Sequence, residues 1–245
     1  MPASPVPSVP PLPRHEPRRE DCPWCGSQRL RTRRRGGPPQ YAPPRPALDE
    51  CRDCRHTFHN PRSAAGTEPW GPSVRARVRL GHRSAARALH QRCPEPESWL
   101  DVGTGDADFP RTARSLFPYT SFDGLDPTHR VLRARAAERV EEAYVGRLTD
   151  PHIAARLRAR YDVVSMFQHL ERVPDPRAEL RAALHVLRPG GHLLVDVADP
   201  RRLFTLLPGA PRPAGLRAEL EARGCTVLTG ARARRVVARK ELSAP

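Results

Sequence analysis

Two pairs of cysteines near the start of the chain have the spacing of metal ligands. Cys22 and Cys25 form one C-x-x-C pair, and Cys51 and Cys54 form a second. Four thiolates from two such pairs can surround a zinc ion in tetrahedral geometry. A redox role needs only one pair, and neither pair follows a strand in a thioredoxin-like pattern. The spacing therefore predicts a zinc ribbon over residues 21–62 that gains its folding energy from the metal.

Two histidines leave the ligand set open at one point. His56 and His59 lie close to Cys54, so that one of them could replace a cysteine, or neither could take part. The four cysteines are the set that we predict. Cys93 and Cys225 stand alone and are interpreted as inert.

A second group of residues has the pattern of a nucleotide-binding turn. The apolar run Trp99–Val102 leads into Gly103 and Gly105, where the absence of side chains lets a nucleoside-bearing cofactor approach the backbone. The next apolar run ends in Asp126, the position from which a carboxylate binds ribose hydroxyls. A lone glycine pair is weak evidence, but strand, turn, helix, strand and aspartate occur here in the required order. Asp126 is the predicted ribose ligand.

The elements that must position these residues alternate as in a parallel α/β sheet. Short apolar runs are separated by helical patterns, and a helix near the first of them has an apolar stripe that can cover one face of the sheet. The predicted strands are Trp99–Val102, Ser121–Leu125, Tyr161–Met166, His192–Val197, Thr226–Leu228 and Arg235–Ala238, the last two as a closing hairpin. The predicted helices lie around Val74–Gln91, Arg111–Phe117, His129–Arg139, Ile153–Arg160, Arg177–Leu187 and Leu216–Arg223.

Composition divides the chain further. Residues 1–20 are so rich in proline that we predict a disordered tail, and Arg31–Pro46 is interpreted as a solvated loop between the two cysteine pairs. Residues 63–97 form a linker and the covering helix, and residues 98–245 form the cofactor-binding domain.

The charge of the chain suggests an anionic partner, but with little weight. Lysine and arginine total 42 against 27 acidic residues, a formal net charge of +15. Lys240 is the only lysine, and the wealth of Arg, Ala and Pro is typical of GC-rich coding sequence. No apolar run approaches the roughly 18 residues that cross a bilayer, and the N-terminus lacks the apolar region of a signal peptide. We expect a cytoplasmic protein without membrane contact.

From residue 99 to about residue 199 the chain resembles the class I S-adenosylmethionine-dependent methyltransferases. The family's turn reads acid-x-Gly-x-Gly-x-Gly, and Ala107 stands here at the third glycine. Three stretches match the family. They are the glycine turn with Asp101, Gly103 and Gly105; the fourth strand Tyr161–Met166 with Leu170–Glu171 just beyond it; and a later turn with the fifth strand in Leu187–Asp196.

The resemblance implies an α/β, Rossmann-like sheet of seven strands that binds S-adenosylmethionine. His169 is the candidate base that takes a proton from the acceptor, with the alternative that it only makes a local hydrogen bond on its loop. The cysteine pairs and Asn60-Pro61-Arg62 also resemble bacterial methyltransferases with an N-terminal zinc ribbon, which act mostly on small molecules. The implied cofactor contacts are Asp101, Gly103, Thr104, Gly105, Asp126 and Gln168.

Three departures from the family pattern bear on activity. Gly146-Arg147 stands where relatives often have an acid, Arg172 stands where they commonly have histidine, and Arg201–Gly215 is short and Pro-rich. We therefore predict a shortened lid after residue 200, with a sheet trimmed at its C-terminus as an alternative. The predicted function is methyl transfer from S-adenosylmethionine to a small molecule. The alternatives are an RNA methyltransferase that docks RNA through the ribbon and arginines, and a catalytically eroded cofactor-binding protein.

Overall fold

The structure of the protein is a computed structural model that describes residues 16–35, 47–54, 56–61, 72–170, 172–196, 214–230 and 235–242. The strands among these residues are β1 (Leu30–Arg35), β2 (Ala47–Cys51), β3 (Thr57–Asn60), β4 (Ser98–Val102), β5 (Ser121–Asp126), β6 (Ala143–Val145), β7 (Tyr161–Phe167), β8 (Leu187–Asp196), β9 (Cys225–Val227) and β10 (Arg235–Lys240). The helices in the same described ranges are α1 (Pro72–His90), α2 (Asp108–Ala113), α3 (Arg130–Ala136), α4 (Pro151–Arg156), α5 (Pro176–Val186) and α6 (Ala214–Glu221). None of these helices is both long and apolar enough to span a bilayer.

Seven strands form one sheet in the order β6-β5-β4-β7-β8-β10-β9. The first five pair in parallel, and β10 runs antiparallel to both of its neighbours. The predicted Rossmann-like sheet of seven strands is confirmed, with the closing hairpin in place, and the alternative of a trimmed sheet is wrong. Because β4, β5 and β7 are adjacent and parallel, their carboxyl ends meet at one edge of the sheet, where ligands bind in such folds.

Helix α1 covers one face of this sheet, as the sequence predicts. His82, Ala85, Ala86 and Leu89 lie on one side of the helix and are buried. The aromatic residue beneath this face is Trp99 of β4, whose ring is fully buried and lies within 5.5 Å, centroid to centroid, of three phenylalanine rings. Burial of this cluster fixes β4, and with it the turn that follows β4.

The cysteine-bearing segment forms a second, three-stranded antiparallel sheet in the order β1-β2-β3. The interpretation of Arg31–Pro46 as a loop is wrong for its first residues, because Leu30–Arg35 pairs with Ala47–Cys51 through its backbone. Its Arg and Thr side chains give no apolar alternation, so the sequence carries no strand signal there. Residues 36–46 lie outside the described part of the chain.

The predicted disordered tail extends too far. The guanidinium of Arg18 forms an ion pair of 2.7 Å with the buried carboxylate of Asp49, and the backbone N–H of Arg19 donates to Asn60 Oδ1 at 2.8 Å. Both contacts join this segment to the cysteine-bearing sheet. Residues 1–15 of the predicted tail lie outside the described residues.

The cysteine-bearing sheet packs against the large domain at α6. Cys22, Trp24 and Phe58 belong to the same buried apolar cluster as Leu216 and Leu220 of α6. The indole of Trp24 lies so close to Gly215 that a Cβ at this position would collide with it. The guanidinium of Arg19 also donates to the carbonyl of Pro174, in the loop before α5, at 3.2 Å. The two sheets therefore share part of one core.

Candidate active site and metal centre

A cavity of about 820 Å³ opens at the carboxyl edge of the large sheet. The described residues around it come from α1, the turn after β4, α2, α3 and its C-terminal end, and the loop after β7. Five of the six predicted cofactor residues line it: Asp101, Gly103, Thr104, Gly105 and Gln168. The described lining includes neither Asp126 nor His169.

The turn after β4 requires glycine for two physical reasons. Gly103 (φ +72°) and Gly105 (φ +56°) both have left-handed backbone conformations that favour glycine. A Cβ at Gly103 would also collide with the imidazole of His169, and one at Gly105 would lie 3.2 Å from the guanidinium of Arg130. Ala107, at the third glycine position of the family pattern, is likewise left-handed (φ 56°). The turn thus brings its backbone to the cavity without side chains in the way.

Asp126 holds this turn from beneath. Its Oδ2 accepts a hydrogen bond of 2.9 Å from the backbone N–H of Gly105, and its Oδ1 accepts from the backbone N–H and the hydroxyl of Thr128. The carboxylate is buried. Each carboxylate oxygen can accept more than one hydrogen bond, so the ribose role stays a prediction beside this structural one.

Asp101 is a buried carboxyl at the floor of the cavity. Its Oδ1 accepts a 2.6 Å hydrogen bond from Ser165, whose hydroxyl in turn accepts a 2.9 Å bond from the indole N–H of Trp99. Burial raises the pKa of Asp101 to about 6, although the bond from Ser165 acts in the opposite direction. This carboxyl is therefore easily biased between its neutral and charged forms by a charge that enters the cavity.

The side chain of His169 already contacts an acidic side chain of helix α5. Its Nε2 lies 2.9 Å from Glu179 Oε1, and both side chains are at least nine-tenths buried. The ring also packs under Gly103. This arrangement corresponds to the alternative in which the histidine makes a local hydrogen bond. Gln168, which has a left-handed φ of 51°, donates its backbone N–H to Asp196 and lines the cavity.

One further histidine of this cavity was not predicted from the sequence. His82 of α1 is buried, and its Nδ1 has no hydrogen-bond partner among the described residues. Its ring makes edge contacts with Phe109 and Phe167, at centroid distances of 5.5 and 4.9 Å. The only signal in the sequence is a polar residue within the buried stripe of α1, which also fits an ordinary core histidine.

The four predicted zinc ligands come together at the tip of the small sheet. Their Sγ atoms all lie within 4.8 Å of one another, with 3.6 Å between Cys22 and Cys54 and between Cys25 and Cys51. Tetrahedral zinc with Zn–S bonds of about 2.3 Å separates its sulfur ligands by about 3.8 Å. The geometry therefore fits a Cys₄ zinc site.

The surroundings of the sulfurs also suit a metal. Burial raises the pKa of Cys22 to about 11 and that of Cys54 well above its usual range. At Cys51 burial acts in the same sense, but backbone N–H groups facing the sulfur lower the pKa to about 7. A bound cation supplies the positive charge that such buried thiolates need.

His56 and His59 are the two histidines that the sequence leaves open as ligands of this centre. The ring of His56 lies between Trp24 and Phe58, with centroid distances of 5.6 and 5.8 Å, and is outside the group of ligand atoms. The side chain of His59 and residues 197–213, where the shortened lid is predicted, lie outside the described part of the chain.

Comparison with known proteins finds methyltransferases among the family models and the curated proteins. Residues 75–230 match the family model described as a methyltransferase domain. The ubiquinone biosynthesis O-methyltransferase of Serratia proteamaculans is 39% identical over 103 residues, which are 41% of this chain and 42% of that protein. The enzyme of the same name from Aeromonas salmonicida is 32% identical over 115 residues, 45% of this chain and 48% of that protein. The chain thus spans less than half the length of these curated relatives.

Solved structures agree on the fold. An amino pentose methyltransferase from Micromonospora echinaspora, with bound S-adenosylmethionine, matches 72% of this chain and all of its own length, with 16% identity and a TM-score of 0.50. A structure concerned with the conversion of a disulfide bond into a thioacetal group during echinomycin biosynthesis matches 65% of this chain and 82% of its own, with 18% identity and a TM-score of 0.52.

Proposed function

Since the chain belongs to the methyltransferase-domain family, we propose that it transfers the methyl group of S-adenosylmethionine to a hydroxyl oxygen of a small molecule. The observation that carries this proposal is the cavity at the carboxyl edge of the sheet, where the backbone of the glycine turn is exposed without side chains. Its volume is in the range of small-molecule sites. Oxygen is favoured as the acceptor atom because the relatives are O-methyltransferases by name.

The residues of the cavity fit the parts of this cofactor. Gly103 and Gly105 let the cofactor approach the backbone of the turn closely. Thr104 and Gln168 contribute polar contacts beside these glycines. Asp126 is not part of the described lining but holds the lining residue Gly105 through its backbone N–H, and we propose that it also binds the ribose hydroxyls. When bound, S-adenosylmethionine supplies a methyl group on a positively charged sulfur.

Asp101 and His169 have supporting roles in this proposal. Asp101 provides a negative charge beneath the cationic part of the cofactor. His169, bonded to Glu179 and packed under Gly103, positions the turn rather than taking a proton from the acceptor. A rigid turn favours binding because it loses little further conformational freedom when the ligand binds.

The ribbon is proposed to hold one structural zinc ion. Cys22, Cys25, Cys51 and Cys54 are the ligands, and the support is the mutual spacing of their sulfurs. The ribbon docks on α6, so its role is to stabilise the domain next to the segment that precedes α6.

Calorimetric titration with S-adenosylhomocysteine tests the cofactor site. We expect heat of binding from the intact protein, and an affinity at least about tenfold weaker in Gly103→Ala and in Asp126→Ala. The first displaces the turn, because a Cβ on its left-handed backbone collides with the imidazole of His169, and the second releases the turn. Gly81→Ala is the matched control, since a Cβ there meets nothing within 4 Å. Absence of binding to folded, intact protein would refute the proposed function.

Salt dependence separates the small-molecule proposal from RNA methylation. A protein that docks RNA through its arginines binds it with an affinity that falls steeply with salt. We expect weak binding to RNA at physiological salt. Tight binding that is lost when the arginines of the ribbon are replaced would favour RNA as the acceptor.

A further inference from the structure

The cavity at the carboxyl edge of the large sheet is lined by more positive charge than its cofactor can balance. Six arginines but only three aspartates belong to its described lining. S-adenosylmethionine has a carboxylate, an ammonium and a sulfonium group, so it brings a further positive charge when it binds. Like charges that share the wall of a cleft repel one another. A ligand with several negative charges would balance the charge that this cofactor leaves.

Three guanidinium groups meet at one residue of the glycine turn, and we call these three residues the arginine cluster. The carboxylate of Asp106 forms ion pairs of 2.7 Å with Arg130 and of 3.2 Å with Arg133. Its backbone carbonyl accepts a hydrogen bond of 2.8 Å from Arg139. All three arginines line the cavity. Because one carboxylate cannot neutralise three guanidinium groups, the arginine cluster keeps a net positive charge.

The arginine cluster borders the proposed nucleoside site. The guanidinium of Arg130 lies 3.2 Å from the point where a Cβ of Gly105 would be. The backbone N–H of Gly105 in turn donates to the carboxylate of Asp126 at 2.9 Å, and Asp126 is the proposed ribose ligand. In nucleotide-binding folds a glycine turn at this place also lets phosphates approach the backbone closely. Phosphates attached to a bound nucleoside would therefore lie within reach of the arginine cluster.

Two further arginines reach the cavity from other elements. Arg79 lies on α1 and Arg172 in the loop after β7, and both are exposed. Neither guanidinium makes an ion pair or a hydrogen bond within the part of the chain that the structure describes. Arg111, by contrast, is paired with Asp108 at 2.7 Å. Guanidinium groups from several elements favour an anion with many charged oxygens, such as a chain of phosphates, over a single carboxylate.

We propose that the cavity also binds adenosine phosphates, in competition with S-adenosylmethionine. The nucleoside lies at the glycine turn and Asp126, and the phosphates are held by the arginine cluster together with Arg79 and Arg172. The inference rests on the proposed function, because both ligands share the nucleoside site, and it adds a means of regulation. Two ligands that exclude each other reduce each other's occupancy by mass action. Methyl transfer therefore slows as the concentration of adenosine phosphates rises relative to that of S-adenosylmethionine.

Calorimetric titration of the full chain with S-adenosylhomocysteine, repeated with about 1 mM ADP, adenosine or pyrophosphate in magnesium-free buffer, tests the competition. We expect ADP to weaken the apparent affinity for S-adenosylhomocysteine about fivefold or more. Adenosine and pyrophosphate should weaken it less than about twofold, because each offers only one half of the ligand. An effect of ADP no larger than that of adenosine, or one that pyrophosphate equals, would overturn the inference. Binding of S-adenosylhomocysteine itself would still support the proposed function.

Direct titration of variants with ADP tests the arginine cluster. We expect Arg133→Gln and Arg139→Gln each to weaken ADP binding about fivefold or more. Their affinity for S-adenosylhomocysteine should stay within about twofold of the intact protein, because that ligand has no net charge. Arg135→Gln is the matched control, since Arg135 also lies on α3 and pairs with Glu142 at 3.8 Å but is not in the described lining. Equal losses in all three variants would assign ADP binding to the overall charge of the protein and overturn the site, as would full ADP affinity in Arg133→Gln and Arg139→Gln.

Discussion

Asp101 combines burial with a position at the cavity floor, and this combination makes its charge sensitive to the ligand. Burial raises its pKa to about 6, so the neutral and charged forms of the carboxyl have similar free energies in the folded protein near pH 6. The stability that this group contributes is present below the pKa of the unfolded chain and is lost as pH rises through about 6. A cation that binds above Asp101 favours the charged form and draws off the proton that the carboxyl still holds near and below pH 6.

We predict from this that the affinity for S-adenosylmethionine falls by up to about tenfold per pH unit below pH 6, because the carboxyl must then release its proton for the cation to bind. Calorimetric dissociation constants between about pH 5 and about pH 8 measure the effect. Asp101→Asn should bind more weakly at the upper end and lose the dependence. An affinity of the intact protein that is level across this range would show that Asp101 does not face the cationic part of the ligand.

The residues of the turn were predictable because their types are demanded locally. Gly103 and Gly105 are required by a left-handed backbone and by close approach, which sequence order alone can indicate. His82 was not predictable, since its place in the cavity depends on how α1 lies across the sheet. The engagement of His169 by Glu179 also depends on the packing of α5, which no spacing in the sequence reveals.

At the scale of the elements, β10 ties the sheet to a helix end. The Nζ of Lys240 donates to the carbonyls of Leu184 and Leu187, at 2.7 and 2.9 Å. These carbonyls lie at the C-terminus of α5, where helix carbonyls lack partners within the helix. The only lysine of the chain thus satisfies two groups at the α5–β8 junction.

Lys240→Met should lower the free energy of unfolding by about 2 kcal/mol, because two carbonyls lose a charged donor while most of the apolar stem is kept. Denaturation by urea measures the change. Arg239→Met, on the neighbouring exposed position, should change stability by less than about 0.5 kcal/mol. Equal effects of the two substitutions would show that the hydrogen bonds of Lys240 to the two carbonyls stabilise the protein no more than the exposed Arg239 does.

The elements of the large sheet were predictable to within a few residues, because parallel strands buried on both faces appear as apolar runs. Strand β6 has only three residues and is too short to give a pattern. Strand β1 was missed for a different reason. All of its residues but Leu30 are polar, and its form comes from backbone pairing with β2, a long-range contact that leaves no local pattern in the sequence.

At the scale of the whole molecule, the ribbon and the methyltransferase domain share part of one buried apolar core. Trp24 lies between Cys22 and Cys25 in sequence, so one short loop carries two of the proposed metal ligands and also packs against α6. The sequence indicates the two cysteine pairs but not their docking on α6, because the contact involves Gly215, which is distant in the chain. Loss of the metal should therefore weaken the large domain as well.

Two substitutions separate metal binding from docking. Cys22→Ser removes a ligand, and we expect the zinc content to fall from about one per chain and the domain to lose stability with it. Trp24→Ala keeps the four thiols and the backbone N–H that faces Cys22, so zinc should remain bound. Its loss of the buried indole should nevertheless lower the free energy of unfolding by about 3 kcal/mol.

Zinc analysis together with urea denaturation of the full chain measures both effects, with Trp24→Phe as a control that keeps an aromatic ring against Gly215. If Trp24→Ala retained zinc and unfolded like the intact protein, the ribbon would bind its metal without supporting the domain. If Trp24→Ala lost zinc as Cys22→Ser does, docking on α6 would be required to assemble the metal site. The expected pattern, in which zinc is kept and stability is lost, arises only if the metal folds the ribbon and the indole of the folded ribbon then stabilises α6.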